Sequence, residues 1–147
     1  MSRIRRILFA SDFSPASRPA FATAVELARA LKAELLLTHA LAPIVPVDGL
    51  YTPYVDWDAF EKGSREAAQT ELDRLARAAG KRDIRATTVL TKGYAADQIV
   101  RMAKTRKAHL IVMGTHGRTG LSRLVMGSVA TRVMIGASCP VMTVRAK

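Results

Sequence analysis

His109-Leu-Ile-Val-Met-Gly114-Thr-His-Gly117-Arg-Thr-Gly-Leu-Ser-Arg-Leu-Val-Met-Gly127-Ser128 is the stretch that decides the fold. Its first five residues, His109 to Met113, have the composition of a buried strand. After it comes Val129-Ala-Thr-Arg-Val-Met-Ile135, which reads as a helix closed by Gly136. A strand therefore feeds a glycine-punctuated loop, and the loop feeds a helix N-terminus. Unpaired backbone N–H groups and the helix dipole both favour an anion at such a point.

The spacing is Gly114, two residues, Gly117, nine residues, Gly127, then the hydroxyl of Ser128. Glycine lets the backbone approach a phosphate closely or take a positive φ. Ser128 can cap the helix and donate its hydroxyl to a phosphate oxygen. Arg118 and Arg123 add fixed charge whose geometry suits phosphate. Of the three histidines, His116 lies inside the loop and nearest any ligand. His39 reads as a satisfied core or sheet-end residue, and His109 opens a strand. The loop has neither the Walker pattern nor Gly-x-Gly-x-x-Gly. The same residues also fit a surface loop with turn glycines and a capped helix.

Working outward, Arg3 to Ser11 reads as a buried strand ending at Asp12. Ser14 is a candidate N-cap, with Pro15 at the first helical position. Phe21, Ala24, Val25, Ala28 and Leu31 form an apolar helical face, and Pro19 disturbs its first turn. Leu35 to Leu41 is a second strand. Ala42 to Asp56, with three prolines, reads as a long loop flanking the site. Trp57 to Ala79 is a long amphipathic helix, weakened by Gly63 and stopped by Gly80. Ile84 to Thr91 is a third strand, Lys92-Gly93-Tyr94 a turn, and Ala95 to Lys107 a third helix. After the glycine loop and its helix, Pro140 to Val144 is a fifth strand.

Strands alternating with helices imply an α/β domain: a doubly wound, five-stranded parallel sheet with helices on both faces. The expected strand order is 3-2-1-4-5. Ligands bind such sheets beyond the carboxyl ends of the strands, where the order reverses. Here that switch lies between the first and fourth strands, whose ends carry Asp12 and Gly114. Loop chemistry and sheet topology thus point to one crevice. The 147 residues suit one domain spanning 1–147.

The chain carries a net charge of +11, and from Gln98 to Lys147 there are nine Lys and Arg with no Asp or Glu. This helps an anionic ligand by steering. A nucleic-acid partner is disfavoured, since there is no RNA-binding signature and little aromatic interleaving. No apolar run reaches the ~18 residues of a membrane span. The N-terminal apolar run is too short for a secretory signal, so a cytoplasmic protein is expected. The single Cys139 forms no internal disulfide and reads as a buried structural thiol.

These residues carry a resemblance to a family. The glycine loop resembles the signature of the ATP-binding branch of the universal stress proteins. So do Ile7-Leu-Phe-Ala-Ser-Asp12-Phe-Ser14, Leu37-Thr-His39-Ala40, Gly93, and Cys139-Pro-Val-Met-Thr-Val-Arg145, all in the family's order. The resemblance implies the same strand order. It also implies that Asp12 sits by a ribose and Ala40 against an adenine. Ala10 and Ser11 would line the same wall. Gly117, Gly127, Ser128 and the Val129 N–H would hold the phosphates, and Gly114, His116 and Arg118 complete the expected cofactor-binding set. ATP, with Mg²⁺ carried by the nucleotide, is the expected cofactor.

Family members bind ATP and hydrolyse it slowly or not at all, and this loop lacks a P-loop lysine and a carboxylate pair for magnesium. The expected function is an adenine-nucleotide-binding, stress-response regulatory module that signals to a downstream protein. A slow ATPase remains an alternative, as does a basic-surface interaction module with an empty crevice. The apolar strand 141–144 would be a sheet edge, and the family commonly dimerises there, so a homodimer is expected.

Overall fold

Five short apolar runs pair in parallel because each is separated from the next by a helix that returns the chain to the same edge. The computed structural model describes residues 3–44, 55–116 and 125–147. Its elements are β1 (Arg6–Ala10), α1 (Arg18–Leu31), β2 (Glu34–Leu41), α2 (Trp57–Gly80), β3 (Ala86–Lys92), α3 (Ala95–Thr105), β4 (Leu110–Gly114), α4 (Ser128–Gly136) and β5 (Val141–Val144). The sheet order is β3-β2-β1-β4-β5, as expected. Most of the loop after β2 (residues 45–54) and the glycine-loop core (117–124) lie outside the described residues.

The two faces of the sheet are covered separately. Ala24, Val25 and Ala28 of α1 and Leu72, Leu75 and Ala79 of α2 pack on Ile7, Phe9, Leu35 and Leu37. Ile99 and Ala103 of α3 and Ala130 and Val133 of α4 pack on Leu8, Ala10, Leu36 and Ile111. Successive strand residues point to opposite faces, so Ile7, Leu8 and Phe9 are all 0% exposed. That explains why these strands read as continuous apolar runs and not as alternating ones.

Several boundaries differ from the sequence reading, each for a local reason. Pro15–Ser17 forms a 3-10 turn before α1, and Pro19 falls in the first turn of α1, where its missing N–H costs nothing. Ser14 holds the cap position but makes no side-chain cap bond. Its backbone N–H and hydroxyl instead donate to Asp12 Oδ1, at 2.9 and 2.6 Å. α2 ends at Gly80, where the sequence reading places its stop, but Gly80 is not the left-handed residue. The left-handed residue that closes the helix is Asp83 (φ 59°), and the Ile84 N–H returns to the Ala79 carbonyl at 3.2 Å.

The ends of α1 and α3 repeat this closure with Lys32 and Lys107. Three helices thus finish in one six-residue backbone motif whose left-handed residue is not glycine. Cys139 is half-buried just before β5, and burial pushes its thiol up from the ordinary value.

Two glycines give opposite expectations. A Cβ at Gly63, inside α2, would meet nothing within 4 Å. Gly63→Ala should therefore stabilise the fold by about 1 kcal/mol, a rise of roughly 2–4 °C in Tm for a chain of this size. Gly93 has φ +142°, and its Cβ would meet Gln98 Nε2 at 2.6 Å. Gly93→Ala should lower Tm. Thermal unfolding of both variants by circular dichroism checks the pair, and a stabilising Gly93→Ala would contradict the turn geometry.

Candidate functional site

The site begins where the pairing of β1 with β2 stops. The register runs from Arg6↔Glu34 to Ala10↔Thr38 and no further. Along β2, backbone groups alternate between its two neighbours. Glu34 N–H donates to Arg5 O on the β1 side, and Leu35 N–H donates to Arg85 O on the β3 side. By that alternation Ala40 presents its N–H and C=O toward β1. The next rung of the ladder would join Ala40 N–H to Ser11 O.

That rung is absent among the described residues. Ser11 O instead accepts a bond from His39 Nδ1 at 2.7 Å. Because a carbonyl only accepts, the Nδ1 of His39 carries the proton. The imidazole thus replaces the Ala40 amide on Ser11, and the β2 edge at Ala40 is left facing the gap between the strands.

The chain leaves β1 through a sharp corner that fixes this arrangement. Phe13 has φ 61°, a left-handed conformation uncommon for a bulky residue and a local store of strain. Its N–H donates to Ser11 Oγ at 3.0 Å. Its ring lies against His39, with centroids 4.3 Å apart and planes tilted by 31°. Ser17 Oγ donates to Ser14 O at 2.8 Å. Asp12 is held in the corner by its two bonds from Ser14.

Beyond the strand ends opens a crevice of about 610 Å³. Ala10, Ser11, Asp12, Ala40, Gly114, His116 and Val129, all expected site residues, line it together. Ser17, Thr38, His39, Ala95, Ile99, Met113 and Ala130 complete the wall. Ala10, Ala95, Ile99, Met113 and Ala130 make one side apolar, as a flat heterocycle requires. Thr38 is buried, and its Oγ1 donates to Val89 O at 2.9 Å.

Gly127 and Ser128 do not line this crevice, although they open α4 beside it. Ser128 is the first helical residue and not the cap; the cap position is Gly127, with φ −61° and ψ 153°. Any residue adopts that backbone, so Gly127 is not needed for conformation. Gly127 N–H donates to Thr115 O at 2.7 Å, which ties the start of α4 to the end of β4. The next amides, of Ser128, Val129 and Ala130, begin the helix, where N–H groups have no intrahelical acceptor.

Gly114 is likewise under no close constraint: an added Cβ would meet His116 O at 3.5 Å and Ala16 O at 3.6 Å, ordinary contacts. Thr115 Oγ1 and His116 Nδ1 are 2.9 Å apart. Gly117, Arg118 and Arg123 lie outside the described residues.

On the other face a second, larger groove of about 1320 Å³ shares Asp12, His39 and Ala40 with the first and runs along α2. Lys92 Nζ donates to Glu61 Oε1 there at 2.6 Å. That bond and the Lys92 charge hold the Glu61 carboxyl below its usual range. Among the described residues no group of three His, Cys, Asp or Glu is arranged to hold a metal ion, and no helix is long and apolar enough to cross a membrane.

The architecture recurs in solved structures. The hypothetical protein MJ0577 of Methanocaldococcus jannaschii superposes with a TM-score of 0.80 at 22% identity over 99% of both chains. A universal stress protein in complex with cAMP gives 0.70 at 24% identity, covering 99% of this chain and 100% of that one. The universal stress protein from Archaeoglobus fulgidus in complex with dAMP gives 0.67 at 24%, covering 98% and 100%. These likenesses establish the fold.

In sequence, the chain is similar to universal stress protein MJ0531 of Methanocaldococcus jannaschii, 33% identical over 145 residues, covering 96% of this chain and 82% of that one. It is also similar to YxiE of Bacillus subtilis, 30% identical over 145 residues, covering 95% and 98%. The model of the universal stress protein family matches residues 3–145. With its fold and nearly its whole length in agreement, the chain belongs to the universal stress protein family.

Proposed function

We propose that this chain binds an adenine nucleotide, ATP in the first instance, and acts as a stress-response regulatory module through binding and not through turnover. The observation that carries the reading is the released edge of β2 at Ala40. One N–H and one C=O, side by side, match the acceptor N1 and donor N6 on the edge of adenine. Guanine offers a donor and an acceptor in the reverse order there. With the sugar anchored at Asp12, the order discriminates between the bases. The two relatives of this fold crystallised with cAMP and dAMP support the same ligand class.

The remaining roles follow from position. The apolar wall of Ala10, Ala95, Ile99 and Met113 receives the base. Asp12, oriented by Ser14, accepts from ribose hydroxyls. The N-terminus of α4, with Gly127, Ser128 and Val129, receives phosphate, and the absence of a Cβ at Gly127 allows close approach. Gly117 and Arg118 join them in the glycine loop. Mg²⁺ arrives with the nucleotide. Binding to the folded state alone stabilises it, and a downstream protein reads the bound state.

Homodimerisation through β5 is part of the proposal. This strand ends the sheet, Met142 is 38% exposed, and nearby Ile135 of α4 is 82% exposed. Such an apolar edge invites a second copy.

Freshly purified protein, once denatured, should release adenine nucleotide at close to one per chain, identified by mass spectrometry. No released nucleotide, together with no binding of added ATP and magnesium, would overturn the reading. In calorimetry, Asp12→Ala and Gly127→Val should each weaken ATP binding tenfold or more, and unchanged affinity would remove those residues from the site. His39→Ala frees Ser11 O to take the Ala40 amide. One lost hydrogen bond of about 1–1.5 kcal/mol corresponds to roughly tenfold weaker binding, with Tm little changed. Sedimentation at micromolar concentration should give a dimer that Met142→Glu dissociates; a wild-type monomer would contradict the β5 interface.

A further inference from the structure

The end of the sheet opposite the crevice carries a concentration of positive charge that nucleotide binding does not use. All five strands begin there, so the segment before β1, the α1–β2 turn, the α2–β3 turn and the α3–β4 turn come together. A groove of about 990 Å³ lies among the first three, lined by Arg5, Arg29, Lys32, Arg82 and Arg85. All five side chains belong to exposed residues. Its acidic residues are Glu34 and Asp83. Glu34 is engaged by Arg6, which also donates to the Arg106 carbonyl. Among the described residues, none of the five cations has a carboxylate within ion-pair distance. Arg106 and Lys107, also exposed, extend the charge across the α3–β4 turn.

Helix dipoles account for part of this. The carboxyl ends of α1, α2 and α3 point to this edge, and cations are favoured there. Arg5 and Arg85, however, precede β1 and β3, where no helix end calls for them. Gathering five like charges around one concavity costs repulsion that a partner anion relieves. Four of the five are arginines, whose planar fork engages phosphate through two donors.

We propose that this groove binds the phosphate backbone of a nucleic-acid duplex, without reading sequence. The chemistry of the groove selects this partner over other polyanions. Lipid surfaces are held by apolar insertion as well as charge, and the large exposed apolar residues of the described chain all lie elsewhere, among them Phe60, Val125 and Ile135. A single strand is held by aromatic stacking, and the groove contains no aromatic residue. An acidic protein surface would need a buried apolar anchor at its centre. What remains is contact through phosphates alone. Judged from the charge of its C-terminal third, the chain did not call for a nucleic-acid partner. The fold gathers this second concentration from segments far apart in sequence.

The test uses the whole chain with a labelled 20-base-pair DNA duplex of arbitrary sequence, read by fluorescence anisotropy across a salt series. Binding should be present at low salt, insensitive to sequence, and steeply weakened by salt, with a slope of roughly −0.9 per phosphate contacted. Lys32→Glu/Arg82→Glu/Arg85→Glu should weaken binding at least tenfold and flatten the slope. A charge-matched control, Lys62→Glu/Arg65→Glu/Arg101→Glu, should change it less than threefold, with circular dichroism confirming that both variants fold. Saturating ATP should not compete, because the crevice lies at the other end of the sheet; this separates the outcome from that of the nucleotide site. Three results would each overturn the proposal: no duplex binding at low salt, equal loss in the control, or capture by anionic phosphatidylserine vesicles with no binding to the duplex.

Discussion

A single carbonyl, that of Ser11, determines how the two halves of the site meet. Were it to accept the Ala40 amide, β1 and β2 would continue as paired strands and the gap between them would close. It accepts from His39 Nδ1 instead, and pairing ends at Ala10↔Thr38. The exchange leaves the number of hydrogen bonds on Ser11 unchanged and moves the loss to the Ala40 N–H; what changes is which group faces the crevice. The left-handed Phe13 supports it by laying its ring against the imidazole. Strain of order 1–3 kcal/mol at one residue is tolerable because the corner is tied by bonds from Phe13, Ser14 and Ser17.

The rest of the fold supplies rigidity around that break. A one-residue slip would exchange side chains of different shape between two filled, close-packed faces, so the strand ends stay in register. On β4 the pairing reaches the start of α4. Thr115 N–H donates to Val144 O on β5, and Gly127 N–H donates to Thr115 O. The N-terminus of α4 is therefore anchored directly to the end of β4, which contributes Met113 and Gly114 to the crevice wall. The charges not engaged here collect at the far end of the sheet, where the helix carboxyl ends tolerate them.

Much of this was legible in the sequence because it rests on local pattern. Runs such as Ile7-Leu-Phe-Ala10 can only be strands covered on both sides, and alternation with helices then implies a parallel sheet and its switch point. Asp12 and Gly114 follow from that topology, since they end the two strands at the switch. What escaped is what depends on pairing across the fold. His39 looks like a core histidine until the register reveals that it bonds Ser11. Thr38, Ala95, Ile99 and Met113 are ordinary apolar or small residues in their own elements, and only packing brings them to one wall. The caps misled for a related reason: Ser14 and Ser128 are suitable cap residues, yet Ser14 bonds Asp12 and α4 starts one residue earlier than a serine cap would require. The left-handed positions that close three helices, Lys32, Asp83 and Lys107, are not glycines and so carry no signal of their own.

The most direct measurement is the exchange behaviour of the Ala40 amide in nitrogen-15-labelled protein, followed by nuclear magnetic resonance during titration with adenosine and then guanosine nucleotides. Without ligand this amide should exchange quickly for a β2 position, unlike the neighbouring paired amides of Leu37 and Thr38. Adenine nucleotide should shift its resonance and protect it, and guanine nucleotide should do neither at the same concentration. An Ala40 amide already protected in the free protein, or one unmoved by bound adenine nucleotide, would contradict the account.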